Sequence, residues 1–173
     1  NRPESTAVVL TRVEVDENDP GFSTPIKPVG PILTDQQVMS EDWDIAETKN
    51  GPRRVVASPL PNRILDLDVI KALVARNAIV ICCGGGGIPV IQKDNHFVGV
   101  PAVIDKDRLS SLLANEINAD ALIISTAIDS IRTGFATDDE VAHSILTTAE
   151  ARKYLKSGEF PAGSMGPKVE SLI

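Results

Sequence analysis

Four consecutive glycines, Gly84 to Gly87, stand before Ile88-Pro89 and offer the chain's barest stretch of backbone. They follow the apolar run Ile79-Val80-Ile81-Cys82-Cys83, which reads as a buried strand bounded by a turn. With no Cβ in the way, a small anionic group can reach the peptide N–H groups at such a strand end. The plainer reading is a tight turn out of a core strand. Downstream lies Ile104-Asp105-Lys106-Asp107, where a loop enters a helix. Asp107 has the type and place of a helix N-cap, and Asp105 those of a solvated loop charge. Beside a glycine loop, the same carboxylates could also orient lysines or hold Mg²⁺ against phosphates.

A second loop, Gly163-Ser164-Met165-Gly166-Pro167-Lys168, is built on similar lines. Ser164 reads as an N-cap and Pro167 as a first-turn residue. A helix N-terminus favours an anion, and Lys168 adds a full positive charge there. The alternative is a capped helix with an exposed lysine. Lys27 sits between Pro25 and Pro28, where the prolines stiffen and aim it. No G-x-x-x-x-G-K-[ST] run occurs, so a P-loop kinase is unsupported.

These residues must be held by a folded body. The chain has 173 residues, 42% of them hydrophobic, enough for one domain with a sizeable core. A formal net charge of −7 with interspersed signs argues against a nucleic-acid partner. No apolar stretch approaches a membrane span and no secretory signal is visible, so no membrane partner is expected. Cys82 and Cys83 are neighbours on a predicted strand, where side chains point to opposite faces. They read as core filler in a reducing, cytoplasmic compartment. His96 and His143 stand far apart, and neither a metal cluster nor a Ser/His/Asp order emerges. The chain starts at Asn1 without methionine and reaches Ile173 inside an apparent helix, which suggests a piece of a longer enzyme.

The apolar patterning predicts α/β. Ala7 to Val13, Ile79 to Cys83 and Ala121 to Thr126 read as strands, the last two buried. Leu67, Val69, Ile70, Leu73 and Val74 share one helical face, as do Leu109, Leu112, Leu113 and Ile117. A hairpin is predicted over Ile88 to Gly99, turning at Asp94-Asn95. Thr147-Thr148-Ala149-Glu150 fits a capping box that opens a helix to about Ser157. Residues 16–58 are punctuated by proline and glycine and read as a small irregular lobe. Ile26, Val29, Ile32, Leu33 and Trp43 are its candidate core, and Thr34-Asp35-Gln36-Gln37 its short helix start. Alternating helices and apolar strands predict a mostly parallel sheet covered on both faces.

Six segments carry a family resemblance, in order over almost the whole chain. They are Val13 to Asp16 with Asn18-Asp19-Pro20, Pro25 to Gly30, Arg53 to Pro59, Gly84 to Pro89, Val103 to Asp107, and Gly163 to Lys168. Together they resemble the second half, or somewhat more, of carbamate kinase, in the amino acid kinase family. The resemblance implies an open three-layer αβα sandwich, with residues 16–58 as a protruding lobe, and a homodimer. It implies Mg²⁺-dependent, reversible conversion of carbamoyl phosphate and ADP to ATP and carbamate, a step of arginine metabolism. Lys27, Asp107 and Lys168 match catalytic positions. Gly84, Gly85, Gly86, Gly87 and Asp105 would meet the carbamoyl end. Thr126, Ile128, Asp129, Met165 and Gly166 would meet the nucleotide, and no metal ligand is assigned.

The chain departs from the family pattern at several points. The Gly-Gly-Asn loop and the His-Gly-Asn-Gly-Pro segment are not among these residues. Thr126-Ala127-Ile128-Asp129 replaces Thr-Asp-Val-Asp or Thr-Gly-Val-Asp, and Gly134-Phe135-Ala136-Thr137 replaces Asn-Phe-Gly-Lys. Lys49-Asn50-Gly51-Pro52 stands where Gly-Arg-Gly-Tyr precedes the arginines. Two further readings stay open: a non-catalytic fragment or paralogue, and another acyl-phosphate-forming amino acid kinase.

Overall fold

The computed structural model describes residues 5–160 and 165–173. The chain divides into two compact units, Asn1–Leu109 and Ser110–Ile173.

In the first unit, the parallel pairings join distant parts of the sequence, as an α/β chain requires. β1 (Thr6–Val8) pairs in parallel with β7 (Ile79–Ile81). β2 (Arg12–Glu14) pairs in parallel with β8 (Ile88–Lys93), so the strand after the glycine run lies beside the strand after β1. β2 also takes β6 (Arg63–Ile64), and β8 takes β9 (His96–Gly99), both antiparallel. The β8–β9 hairpin turns at Asp94-Asn95 as its sequence predicts, with Asp94 at φ +52°. Val13, Ile64, Ile70, Val90, Ile91, Ile104 and Leu109 fill the core. α2 (Leu67–Val74) buries only Ile70 of its predicted face, and Val69 and Val74 are exposed.

Residues 16–58 carry more regular structure than their prolines announce. β3 (Lys27–Val29), β5 (Gly51–Val56) and β4 (Ile45–Thr48) form an antiparallel sheet in that order. α1 (Asp35–Ser40) starts on a capping box between Thr34 and Gln37. Of the expected small core, Leu33 is buried, while Ile26 and Ile32 are exposed. Arg54 instead covers Trp43 at 4.8 Å.

α3 (Lys106–Glu116) begins in the first unit. The second unit holds the antiparallel pair β10 (Ile131–Thr133) and β11 (Val141–His143), with α4 (Thr148–Lys156) and α5 (Met165–Glu170). Thr147 and Glu150 form the predicted capping box. Ala151, Phe160 and Val169 are its buried core. α5 ends at Glu170, three residues before the chain does.

Two strand expectations are corrected. β7 is a strand but not a buried one: Ile79 and Ile81 are 49% and 55% exposed, because β1 is its one partner among the described residues. Ala121 to Thr126 has a strand's composition but forms none. A strand exists by pairing, and among the described residues no segment forms a ladder with this one.

Candidate functional site

The glycine run divides into two halves with different duties. Cys83, Gly85, Gly86 and Gly87 all have positive φ, so the strand ends at Ile81 and the chain winds through a short 3₁₀ turn, Gly84–Gly86. A Cβ on Gly86 would lie 2.0 Å from the Ile104 carbonyl oxygen. One on Gly87 would lie 2.6 Å from Val13 Cγ2. Those two glycines are demanded by packing. A Cβ on Gly84 or Gly85 would meet nothing within 4 Å. These two face open space. Because Cys83 is left-handed, the opposite-face argument for the cysteines does not apply. Both are free thiols, and burial pushes Cys83 up to about 12.

The buried backbone of Ile104 leads directly to Asp105. Asp105 Oδ1 accepts the backbone N–H groups of Asp107 at 2.9 Å and Arg108 at 3.2 Å. Asp105, not Asp107, therefore caps α3, since the helix starts two residues earlier than the sequence suggested. Its other oxygen, Oδ2, accepts from Lys27 Nζ. Burial pushes the Asp105 carboxyl up, but the Lys27 ammonium and the two α3 amides outweigh it and hold it below the usual carboxylate value. Asp107 is buried, with Lys106 Nζ 3.6 Å from its Oδ1. Lys27, Asp105, Asp107 and the glycine run thus belong to the first unit.

The second unit encloses a cleft of about 480 Å³. Ile124, Ile128, Ile131, Met165, Val169 and Leu172 give it an apolar wall. Thr126, Asp129, His143 and Lys168 supply polar groups. An apolar slot with a few polar groups suits a planar base with a charged tail. Of the residues expected to meet a nucleotide, Thr126, Ile128, Asp129 and Met165 line it. Gly166 is buried and does not.

Asp129 is held by local partners. The Ser130 hydroxyl donates to its Oδ1 at 3.2 Å, and Arg132 Nη2 lies 3.3 Å from Oδ2; together they hold the carboxyl below its usual range. Arg132 also reaches Glu140 Oε1 at 2.6 Å, so one guanidinium ties the cleft wall to the β10–β11 loop.

Lys168 lines the cleft from the last turn of a six-residue helix, not from its N-terminus. The expected help from the helix dipole is therefore withdrawn, because the dipole favours anions only at the other end. The Ser164 cap and Gly163 lie outside the described residues.

Sequence reasoning passed over His143. It lines the cleft, its Nε2 is 2.8 Å from Thr133 Oγ1, and its ring is 5.6 Å from that of Tyr154. A lone histidine on a three-residue strand carries no pattern that would flag it. Ala136 holds φ +63° at the position of the glycine in the family's Asn-Phe-Gly-Lys. As a residue with a Cβ, Ala136 holds this left-handed conformation at a cost of about 1–2 kcal/mol.

Residues 28–173 match the amino acid kinase family. The chain belongs to that family. Among its relatives, it is 41% identical over 170 residues to carbamate kinase 2 of Enterococcus faecalis, covering 95% of this chain and 54% of that protein. It is 45% identical over 175 residues to the carbamate kinase-like protein YqeA of Escherichia coli, covering 99% and 56%. The structure of carbamate kinase from Giardia lamblia bound to AMP-PNP superposes with a TM-score of 0.84 at 38% identity, over 99% of this chain and 56% of that one. The fold is that of an α/β amino acid kinase. The chain spans about half the length of the curated relatives it matches.

Proposed function

We propose that this chain forms the larger share of a carbamate kinase-type phosphotransferase, which moves a phosphoryl group reversibly from carbamoyl phosphate to ADP. The terminal oxygen of ADP attacks phosphorus, the bond from phosphorus to the carbamoyl oxygen breaks, and ATP and carbamate result. The observation that carries this reading is the cleft of the second unit, where Thr126, Ile128, Asp129 and Met165 meet one lysine, Lys168.

Phosphoryl transfer is catalysed mainly by positioning and electrostatics, and fixed lysine ammonium groups supply both. Lys27 offsets charge on the phosphoryl oxygens, and Asp107 orients the lysines near it. Gly84 and Gly85 admit the carbamoyl end. Lys168 offsets charge on the transferring group as it leaves one oxygen for another. Among the described residues, no three His, Cys, Asp or Glu side chains gather to cage a metal. In this reading Mg²⁺ would come carried on the nucleotide phosphates. A homodimer, a cytoplasmic setting and a place in arginine metabolism go with this reading. Among the described residues, no helix is long and apolar enough to cross a membrane.

Thr137 favours a second reading, a non-catalytic paralogue. It stands where the family motif has lysine, and its hydroxyl is spent on the Gly134 carbonyl at 2.7 Å.

The two readings separate in one experiment. The 173 residues alone should make no measurable ATP from carbamoyl phosphate and ADP, because the family's first phosphate loops are not among them. Fused behind the N-terminal segment of the Enterococcus relative, they should make ATP. A folded, nucleotide-binding fusion without turnover would establish the paralogue.

A further inference from the structure

We infer that Asp105 is a positioning residue for Lys27, and not itself a contact for substrate. The inference rests on the kinase reading of Lys27 above.

Both Asp105 oxygens are already engaged. Oδ1 takes the Asp107 and Arg108 amides, and Oδ2 takes the Lys27 ammonium. A carboxylate so occupied has little left to offer a carbamoyl group. An acceptor carboxylate would also repel a phosphate. What it does instead is fix a flexible cation. Lys27 stands on β3, whose partner β5 runs on to Ala57. Ala57 bridges Ala102, and its carbonyl accepts the Val103 amide at 2.9 Å. The same stretch passes the glycine run, where Gly86 packs against the Ile104 carbonyl. Lys27 and Asp105 are thus joined twice, through the sheet and through their own ion pair.

A long, flexible lysine side chain gives up rotamer freedom when it is fixed. Asp105 imposes that cost before any ligand arrives. The ammonium has three N–H groups. One is held by Oδ2, and the other two remain directed for a phosphoryl oxygen.

Asp105→Asn separates the charge from the cap, because asparagine caps helices about as well as aspartate. The chain, fused behind the N-terminal segment of the Enterococcus relative, is reductively ¹³C-methylated, which keeps each lysine charged, and the Lys27 signal is assigned with Lys27→Arg. The probe is phosphonoacetamide, a stable analogue of carbamoyl phosphate with a methylene for the bridging oxygen. The Lys27 signal should stand apart from surface lysines in the parent and merge with them in Asp105→Asn. Phosphonoacetamide should shift it in the parent at about tenfold lower concentration than in the variant, the worth of one charge-assisted bond. Equal or tighter response in the variant overturns the positioning role. A Lys27 signal unmoved by Asp105→Asn overturns the pairing and the positioning role with it, and leaves the kinase reading of Lys27 standing. No response to the probe in either protein overturns the kinase reading of Lys27, and the positioning role with it.

Discussion

Lys168→Ala, made in the fusion with the Enterococcus segment, should lower kcat by about a hundred- to thousandfold while KM for ADP changes far less. The structure alters the reason for this expectation. Lys168 lies in the last turn of α5, so its ammonium acts without the helix dipole. It does act from a cleft wall lined mainly by apolar side chains, where a fixed charge counts for more than in water. Charge spreads over the phosphoryl oxygens during transfer, so a fixed cation favours the transition state over the ground state. The loss corresponds to about 3–4 kcal/mol. Lys93 is the control, exposed at the end of β8 beside the hairpin turn. Lys93→Ala should be nearly silent in steady-state kinetics. If Lys168→Ala matched it, the catalytic role would be wrong. If it raised only KM, Lys168 would be a binding contact.

Gly86→Ala should cost about 3 kcal/mol or more of folding stability, from strain and overpacking together. The residue sits at φ +97°, and its new methyl would lie 2.0 Å from the Ile104 oxygen and 2.9 Å from its carbonyl carbon. Those are backbone atoms beside a side chain that is 1% exposed, so they have no easy way to yield. A domain of this size has a total stability of about 5–15 kcal/mol, so the loss is a large part of it. Gly84→Ala should stay within about 0.5 kcal/mol, since its methyl meets open space at an ordinary φ. Urea unfolding of the two variants measures the contrast. Equal costs would remove the division of the loop into packed and open halves.

Short-range signals in the sequence were the most readable. The helix start at Thr34, the capping box at Thr147 and the hairpin at Asp94-Asn95 need only neighbours along the chain, and all are present. What depends on distant partners was read less well. Ala121 to Thr126 has the residues of a strand, yet strand formation needs a second segment that composition cannot supply. The sheet of β3, β5 and β4 hid behind prolines that sit in or beside its strands. The cap of α3 was misread by two residues, because Asp105 and Asp107 both have the right chemistry and only geometry chooses. The lysine at position 27 was found through its prolines, and its pairing with Asp105, 78 residues away, is visible only in the folded chain. His143 had no signal at all, being one imidazole on a short strand. The cleft residues were found through the family motifs, not through periodicity.

Nucleotide binding in the second unit is the most direct test of the kinase reading. AMP-PNP is added to the isolated chain, labelled with ¹⁵N and ¹³C-methyl groups, and its NMR spectrum is followed. Saturable shifts are expected at Thr126, Ile128, Asp129, Met165 and Lys168, while Lys93 and the β8–β9 hairpin stay unmoved. Saturable shifts confined to residues outside the cleft would contradict that reading.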